Sequence, residues 1–290
     1  MVLESLVVPE QWEKHPARMF FIGVSYATIG LFLGSMVFGK YVSLASVFIT
    51  TMPLVVIMMR AIRDEEMRDV NVCDFKIFCI MKDHARIILF FLHLFVGMVV
   101  AYSFWFSVLP AASVKTLFAS QIDTIQSITG DNLMVQGLAI SASATAKDHF
   151  FIIVVNNLRV LLFCILMSFL YGAGAIFELT WNASVIGVAI GDLIRKIIVQ
   201  WGGTGNPAFL EYFAAFPLSM SYLLHGLPEV LAYFLGALGG GIISVAVVKH
   251  HFRSEEFKRV VLDSGDLIML SVVILILAAG IEVYVTPNLF

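Results

Sequence analysis

The chain has 290 residues, 60% of them hydrophobic and 13% charged, with a formal net charge of −3 at pH 7. Soluble domains average about 45–50% apolar and about 25% charged residues, and the mean hydropathy here is +0.93. This composition excludes a soluble globular protein and predicts an integral membrane protein that binds no nucleic acid. The three cysteines, Cys73, Cys79 and Cys164, have neither metal-site nor disulfide-framework spacing.

Seven hydrophobic segments are long enough to cross a bilayer, which takes about 20 apolar residues in a helix. They lie at residues 19–38, 42–59, 87–109, 150–172, 176–194, 226–248 and 267–286. The sequence therefore predicts an all-α, polytopic transmembrane helix bundle that forms one integral membrane domain over residues 1–290. No cleavage site follows the first segment, so we expect it to remain a transmembrane helix.

The basic residues between the spans predict the orientation of the chain. They concentrate in segments 60–86 and 249–259, and short cytoplasmic loops carry an excess of Lys and Arg. We therefore expect 60–86 to be a charged cytoplasmic loop of a plasma-membrane protein whose N-terminus is cytoplasmic. Arg195 and Lys196 disagree, because seven crossings place them outside, so the topology between 111 and 225 stays open.

Two segments are predicted to lie outside the simple crossings. Residues 111–148 are rich in Ser, Thr and Ala with few charges, which indicates an extracytoplasmic loop or cap. Residues 199–225 are aromatic and broken by Gly and Pro. Because Trp and Tyr favour the headgroup level of a bilayer, this second segment is predicted to be interfacial or re-entrant.

Three pairs of glycines have the small-xxx-small spacing that lets membrane helices approach closely. They are Gly30 and Gly34, Gly187 and Gly191, and Gly236 and Gly240. We expect them to pack helices of one chain together, with the contact between copies of a homo-oligomer as the alternative.

Nine polar residues fall at or near membrane depth, where charged groups are costly and need partners. They are Asn156, Asn157, Arg159, Glu178, Asn182, Asp192, His225, Glu229 and Glu282. We expect an intramembrane polar cluster in which Arg159 pairs with one of the acidic residues.

His225 and Glu229 lie at positions i and i+4 and so share one face of a helix. We expect that helix to start near residue 226, with Pro228 in its first turn. Three interpretations stay open: a hydrogen-bonded knot between helices, a proton or ion site of a transporter, or part of a metal or acid–base site. Because no catalytic motif or complete set of metal ligands is present, we expect no catalytic residue, no metal and no cofactor.

Three patches of the sequence resemble the stage II sporulation protein M family of integral membrane proteins. They are "VVNNLRV" (Asn156, Asn157) followed by Asn182, "LLHGLPEVLAYFLGALGG", and "LAAGIEVYVTP" (Glu282, Pro287). The resemblance covers about residues 150–290, and the first 110 residues match much less clearly. Bacterial members anchor a membrane complex with peptidoglycan-degrading enzymes during engulfment. The resemblance therefore implies a membrane fold and a scaffold role rather than hydrolysis.

The leading hypothesis is a non-enzymatic membrane scaffold, a homo-oligomer in the lipid bilayer that organises partner proteins or membrane shape. Its recruiting surfaces would be the loop 60–86 and the outer segments 111–148 and 199–218. One alternative is a transporter or channel for a small solute or ion that uses the intramembrane cluster. Another is a membrane-embedded, metal-dependent hydrolase.

Overall fold

The computed structural model describes residues 17–66, 84–129, 146–171, 175–203, 207–249 and 255–286. Its ten α-helices are α1 (Ala17–Val37), α2 (Val42–Glu66), α3 (Ala85–Val108), α4 (Ala111–Leu117), α5 (Ala119–Thr129), α6 (Ala146–Tyr171), α7 (Ala175–Gln200), α8 (Phe209–Ala215), α9 (Leu223–Lys249) and α10 (Glu255–Gly280). A 3₁₀ turn precedes α2, another (Phe216–Tyr222) precedes α9, and a π-helical turn (Ile281–Val285) extends α10. The predicted all-α helix bundle is confirmed.

Six helical segments of the described chain are long and apolar enough to cross a membrane. They are Ala17–Val37, Gly39–Ala61, Ala85–Val108, Phe150–Leu170, Gly226–Val248 and Phe257–Val285. The remaining predicted span, 176–194, is helical as part of α7 but is not one of these six. Helix α7 carries Glu178, Asp192, Arg195 and Lys196, and one of its faces is buried against other helices.

Two groups of helices build the bundle. In the first, α3 packs against α1 and α7, and α2 packs against α1 and α7. In the second, α9 packs against both α6 and α10. The rings of Phe91 on α3 and Phe234 on α9 join the two groups, with centroids 4.4 Å apart.

The connection between α1 and α2 is the tight hairpin expected around Gly39 and Lys40. Gly39 has a φ of 50°, which is the left-handed region that glycine enters without steric cost. Because the chain reverses within these few residues, α1 and α2 lie side by side along their length.

The short helices gather at the end of the bundle where α3 ends, which we name the capped end. Helices α4 and α5 follow α3 directly and lie within the predicted cap 111–148, whose residues 130–145 are outside the described part. Helix α8 and the following 3₁₀ turn lie within the predicted segment 199–225 and contact α3 and α7.

The predicted spans 42–59 and 226–248 match the apolar segments Gly39–Ala61 and Gly226–Val248, but the helices that contain them extend further. Helix α2 continues to Glu66, so the first part of the predicted loop 60–86 is helical, and residues 67–83 of that loop lie outside the described part. Helix α9 begins at Leu223, directly after the 3₁₀ turn, rather than near residue 226. Pro228 and Glu229 therefore lie in the second turn, where the field of the helix terminus is already weaker.

Candidate functional site

Asn157 and Glu229 form a side-chain contact between α6 and α9. Nδ2 of Asn157 donates a hydrogen bond of 2.6 Å to Oε1 of Glu229. Asn157 is buried and Glu229 is half-buried. Hydrogen bonds with a charged or strongly polar partner are stronger when water is excluded. This contact therefore fixes α6 against α9 at one depth and one rotation.

Glu282 brings the end of α10 to the same place. It lies in the π-helical turn, which contacts both α6 and α9, and its carboxyl group lies near that of Glu229. Asn157, Glu229 and Glu282 thus form a three-helix polar site.

Asn156 and Arg159 lie outside this three-helix site, on the exposed surface of α6. A helix turns about 100° per residue, so Arg159 is about 200° around the helix from Asn157. The expected ion pair between Arg159 and Glu178, Asp192, Glu229 or Glu282 is therefore not formed. The prediction was wrong because it took depth in the membrane into account but not the face of α6.

The polar residues of α7 form two further, separate groups. Asn182 donates to the backbone oxygen of Glu178 at 3.0 Å and to its Oε1 at 3.2 Å. Nearer the other end of α7, Lys196 pairs with Asp192 at 2.8 Å. The residues of the single predicted cluster are thus divided among the three-helix site, the Glu178–Asn182 pair, the Asp192–Lys196 pair and the exposed face of α6. The side chain of His225 lies outside the described part, so the structure does not address the His225–Glu229 pair.

The six glycines singled out from the sequence lie at helix crossings within the chain. Gly30 and Gly34 of α1 face Ser46 of α2. A Cβ added at Gly187 of α7 would lie 2.6 Å from Cβ of Tyr102 on α3, and Gly191 packs beside Phe106 of the same helix. Real Cβ atoms do not approach other atoms so closely, so these crossings require glycine.

The second glycine-dependent group of crossings centres on α9. A Cβ added at Gly240 would lie 2.6 Å from the carbonyl oxygen of Ile165 on α6, and Gly236 also faces α6, at Leu161. Gly239, one position away, faces α10 instead. Helix α9 is therefore held between α6 and α10 at backbone distance from both.

A comparison with known protein families supports the assignment that the sequence patches suggest. The family model described as Stage II sporulation protein M matches residues 86–287, which includes every helix from α3 to α10 and the three-helix site. The chain belongs to the stage II sporulation protein M family. Helices α1 and α2 precede the matched region and pack on α3 and α7. Family membership and the six apolar helices together indicate a membrane location.

The curated relatives of this family member include one uncharacterised protein of the archaeon Methanocaldococcus jannaschii. It is 26% identical over 140 residues, which is 47% of this chain and 70% of that protein. This similarity is consistent with an archaeal-type relative of the family. No solved structure matches the chain significantly.

The capped end of this family member contains polar contacts that the sequence analysis did not single out. The hydroxyl groups of Tyr212 on α8 and Ser103 on α3 are 2.7 Å apart, and both residues are fully buried. Burial raises the pKa of Tyr212 to about 12, against a smaller lowering by the hydrogen bond with Ser103. The phenol therefore stays neutral and fastens α8 to α3.

Gln121 and Arg195 hold other parts of the capped end. Nε2 of Gln121 on α5 donates to Oγ of Ser184 on α7 at 3.1 Å. Arg195 of α7 donates to the carbonyl oxygen of Leu109, just after α3, and its guanidinium lies 5.3 Å from the ring centroid of Phe106. In the sequence, Arg195 stood out only because seven crossings place this basic residue on the outer side of the membrane. Its hydrogen bond to the carbonyl oxygen of Leu109 could not be predicted, because it depends on the residue at which α3 ends.

A small cavity lies between the two helix groups. A cavity of about 20 Å³ is lined by apolar side chains of α3, α7 and α9, including Phe95, Leu179 and Val230. That volume is about the size of one water molecule, and an apolar lining of this kind stays dry. Within the described residues, no group of three or more His, Cys, Asp or Glu side chains could hold a metal ion.

Proposed function

We propose that this protein is a non-enzymatic membrane scaffold of the stage II sporulation protein M type that holds partner proteins at a membrane surface. The observation that carries the proposal is the three-helix polar site. There Asn157 binds Glu229 and Glu282 approaches Glu229, so polar groups at membrane depth serve contacts between helices. A bundle held in this way, with glycine-tight crossings, is suited to presenting fixed surfaces.

The surface that best fits partner recruitment is the exposed side of α8 at the capped end. Phe209, Leu210 and Phe213 are exposed there by 61%, 79% and 51%, while Tyr212 between them anchors the helix to α3. Exposed aromatic and aliphatic side chains on a fixed helix are typical of protein contact sites or of the membrane–water interface. In a plasma membrane with a cytoplasmic N-terminus, this surface would face outward.

A pull-down from native membranes in mild detergent, quantified by mass spectrometry, tests the scaffold. We expect a stoichiometric partner that is lost when Phe209, Leu210 and Phe213 are replaced by Ser, or when the charges of 60–86 are reversed. The matched control is Val248→Ser, which changes an exposed residue near the C-terminal end of α9. Capture that is unchanged by both alterations would refute these recruiting surfaces.

A second candidate function, transport of protons or a small cation, is favoured only by the proximity of Glu229 and Glu282. Two carboxyl groups that face each other need a proton or a cation between them, and exchange of that ion would couple to helix movement. Ion flux into liposomes should then fall in Glu229→Gln and Glu282→Gln but not in Glu255→Gln, whose carboxylate pairs with Lys258 on the surface. Wild-type protein without flux would eliminate this candidate.

A further inference from the structure

A 3₁₀ segment of seven residues interrupts a long helical stretch of the chain. Residues 209–249 are helical throughout, but Phe216–Tyr222, between α8 and α9, has 3₁₀ geometry. Runs of 3₁₀ helix longer than three or four residues are uncommon, and a 3₁₀ stretch inside a helix is typical of a hinge. Three of its side chains, those of Pro217, Leu218 and Met220, are exposed. A change in the geometry of this segment would therefore disturb few packed side chains.

Pro217 determines how the segment can change. Proline has no backbone N–H, and its ring clashes with the carbonyl oxygen four residues earlier, so α8 cannot continue through this position as a regular α-helix. The first turn of a helix tolerates proline, because the N–H groups there have no partner within the helix. Residues 217–222 can therefore join α9 but cannot prolong α8. Each residue that changes from 3₁₀ to α geometry shortens the connection by about 0.5 Å and turns it by about 20° less.

The two helices that this segment joins are fastened to different helix groups. Tyr212 of α8 is hydrogen-bonded to Ser103 of α3, in the first group. Helix α9 is bonded to α6 through Glu229 and Asn157, and Gly240 brings it to the backbone of α6. Because each end of the segment is held by one group, a change in its geometry moves the second group against the first.

Apolar side chains meet where the two groups face each other. The rings of Phe91 and Phe234 have centroids 4.4 Å apart, and both residues line the small apolar cavity. Of the described glycines, only Gly226 faces the other group, and a Cβ added there would make an ordinary contact of 3.5 Å with Ile186. Apolar side chains can slide past each other without breaking hydrogen bonds, which is the shear type of movement. These contacts are therefore suited to small displacements between the groups.

We propose that Phe216–Tyr222 is a hinge on which the second helix group moves as one body against the first. The exposed residues of α8 stay with the first group, because Tyr212 holds that helix on α3. The movement therefore changes their distance from α6 and α10, and it links the conformation of the capped end to the position of the second group. The hinge does not depend on either of the two functions proposed for the chain.

Distances between pairs of spin labels, measured by double electron–electron resonance, test the movement. The labels are attached to cysteines introduced at exposed positions of a chain whose native cysteines are replaced by alanine. Labelled protein is reconstituted into liposomes with an excess of unlabelled chain, so that only distances within one chain are measured. The pairs are Phe21 with Leu44 in the first group, Ile152 with Leu262 in the second, and Phe21 with Leu262 across the groups.

We expect one narrow distance for each pair within a group, because the helices of a group are held at glycine-tight crossings. The pair across the groups should give two distances, or a clearly broader distribution. A single cross-group distance as narrow as those within the groups would overturn the proposal. Broad distributions for all three pairs would also overturn it, because the groups would then not move as bodies.

Pro217→Ala tests the position of the hinge. The substitution restores an N–H and removes the ring, so α8 can continue into the segment and the proportions of the cross-group distances should change. Leu218→Ala, at the exposed neighbouring position, is the matched control and should leave them unchanged. Unchanged distances within each group show that both variants are folded. Two cross-group distances that Pro217→Ala leaves in their original proportions would overturn the assignment of the hinge to this segment.

Discussion

Asn157 and Glu229 are bonded to each other across α6 and α9, with Nδ2 of the amide 2.6 Å from Oε1 of the carboxyl group. Asn156, the neighbouring residue with the same side chain, is exposed on the other side of α6. Two adjacent asparagines thus have opposite environments. One helps to hold the fold of the chain together, and the other is available for contacts outside it.

Removing the acceptor at position 229 should destabilise the bundle more than replacing it with an isosteric amide. Glu229→Gln keeps an oxygen for Asn157, whereas Glu229→Leu leaves a buried amide without a partner, at a cost of about 1–3 kcal/mol. We expect a clearly lower melting temperature in detergent for the Leu variant and a small change for Gln. Ser25→Leu, at an exposed position of α1, should change little. Equal melting temperatures for the two Glu229 variants would show that Glu229 contacts water instead.

The crossing between α9 and α6 should depend on glycine at position 240. A Cβ there would lie 2.6 Å from the carbonyl oxygen of Ile165, so Gly240→Ala forces the helices apart, and overpacking costs about 1–3 kcal/mol. Gly265→Ala is the matched control, because no atom lies within 4 Å of its added Cβ. In that open helical position alanine should stabilise by about 0.5–1 kcal/mol. Thermal unfolding of both variants measures the difference, and equal shifts would contradict the close crossing.

Hydrophobic length was sufficient to predict the six long apolar helices and their order, because the bilayer requires about 20 apolar residues for each crossing. It did not predict the short helices α4, α5 and α8, and the seventh predicted span, 176–194, is helical without being one of the six. It could not predict which face of α6 is buried. The helix is apolar nearly all around, so its hydrophobic pattern does not separate Asn157 from Asn156 and Arg159. That assignment depends on where Gly236 and Gly240 let α9 approach, which is a contact between segments far apart in the sequence.

At the capped end, the contacts of small polar residues could not be predicted from the sequence either. Ser103 and Tyr212 are separated by 109 positions in the chain, and neither lies in a recognisable motif. Serines and threonines in membrane helices also bond to their own backbone, as Thr51 of α2 does with the oxygen of Val47. The sequence therefore gives no means of distinguishing a serine that joins two helices from one that is satisfied locally.

The hydroxyl of Tyr212 should control how firmly α8 is held. Tyr212→Phe removes the contact with Ser103 but preserves the ring packing against Phe104, whose centroid is 5.2 Å away. We expect a loss of about 0.5–1.5 kcal/mol, seen as faster amide hydrogen exchange over residues 209–215 with little change in α9. Tyr41→Phe is the control, since Tyr41 is 75% exposed. Exchange over α8 that is the same in both variants would contradict an anchoring role for the phenol.

Arg195 should stabilise the end of α3 through its specific geometry as well as its charge. It donates to the carbonyl oxygen of Leu109 and lies against the ring of Phe106. Arg195→Leu removes both interactions and leaves the carbonyl oxygen without this donor, so we expect about 1–3 kcal/mol of destabilisation.

Arg195→Lys separates the two contributions, because an ammonium keeps the charge but lacks the planar fork that stacks on a ring. We expect Lys to recover about half of the loss, measured by thermal unfolding and by hydrogen exchange around residues 105–117. Arg18→Leu, at the exposed start of α1, controls for the loss of a positive charge. If Lys restored full stability, the charge alone would account for the role of Arg195. If Arg195→Leu had no effect on stability or on hydrogen exchange, Arg195 would have no part in holding the capped end.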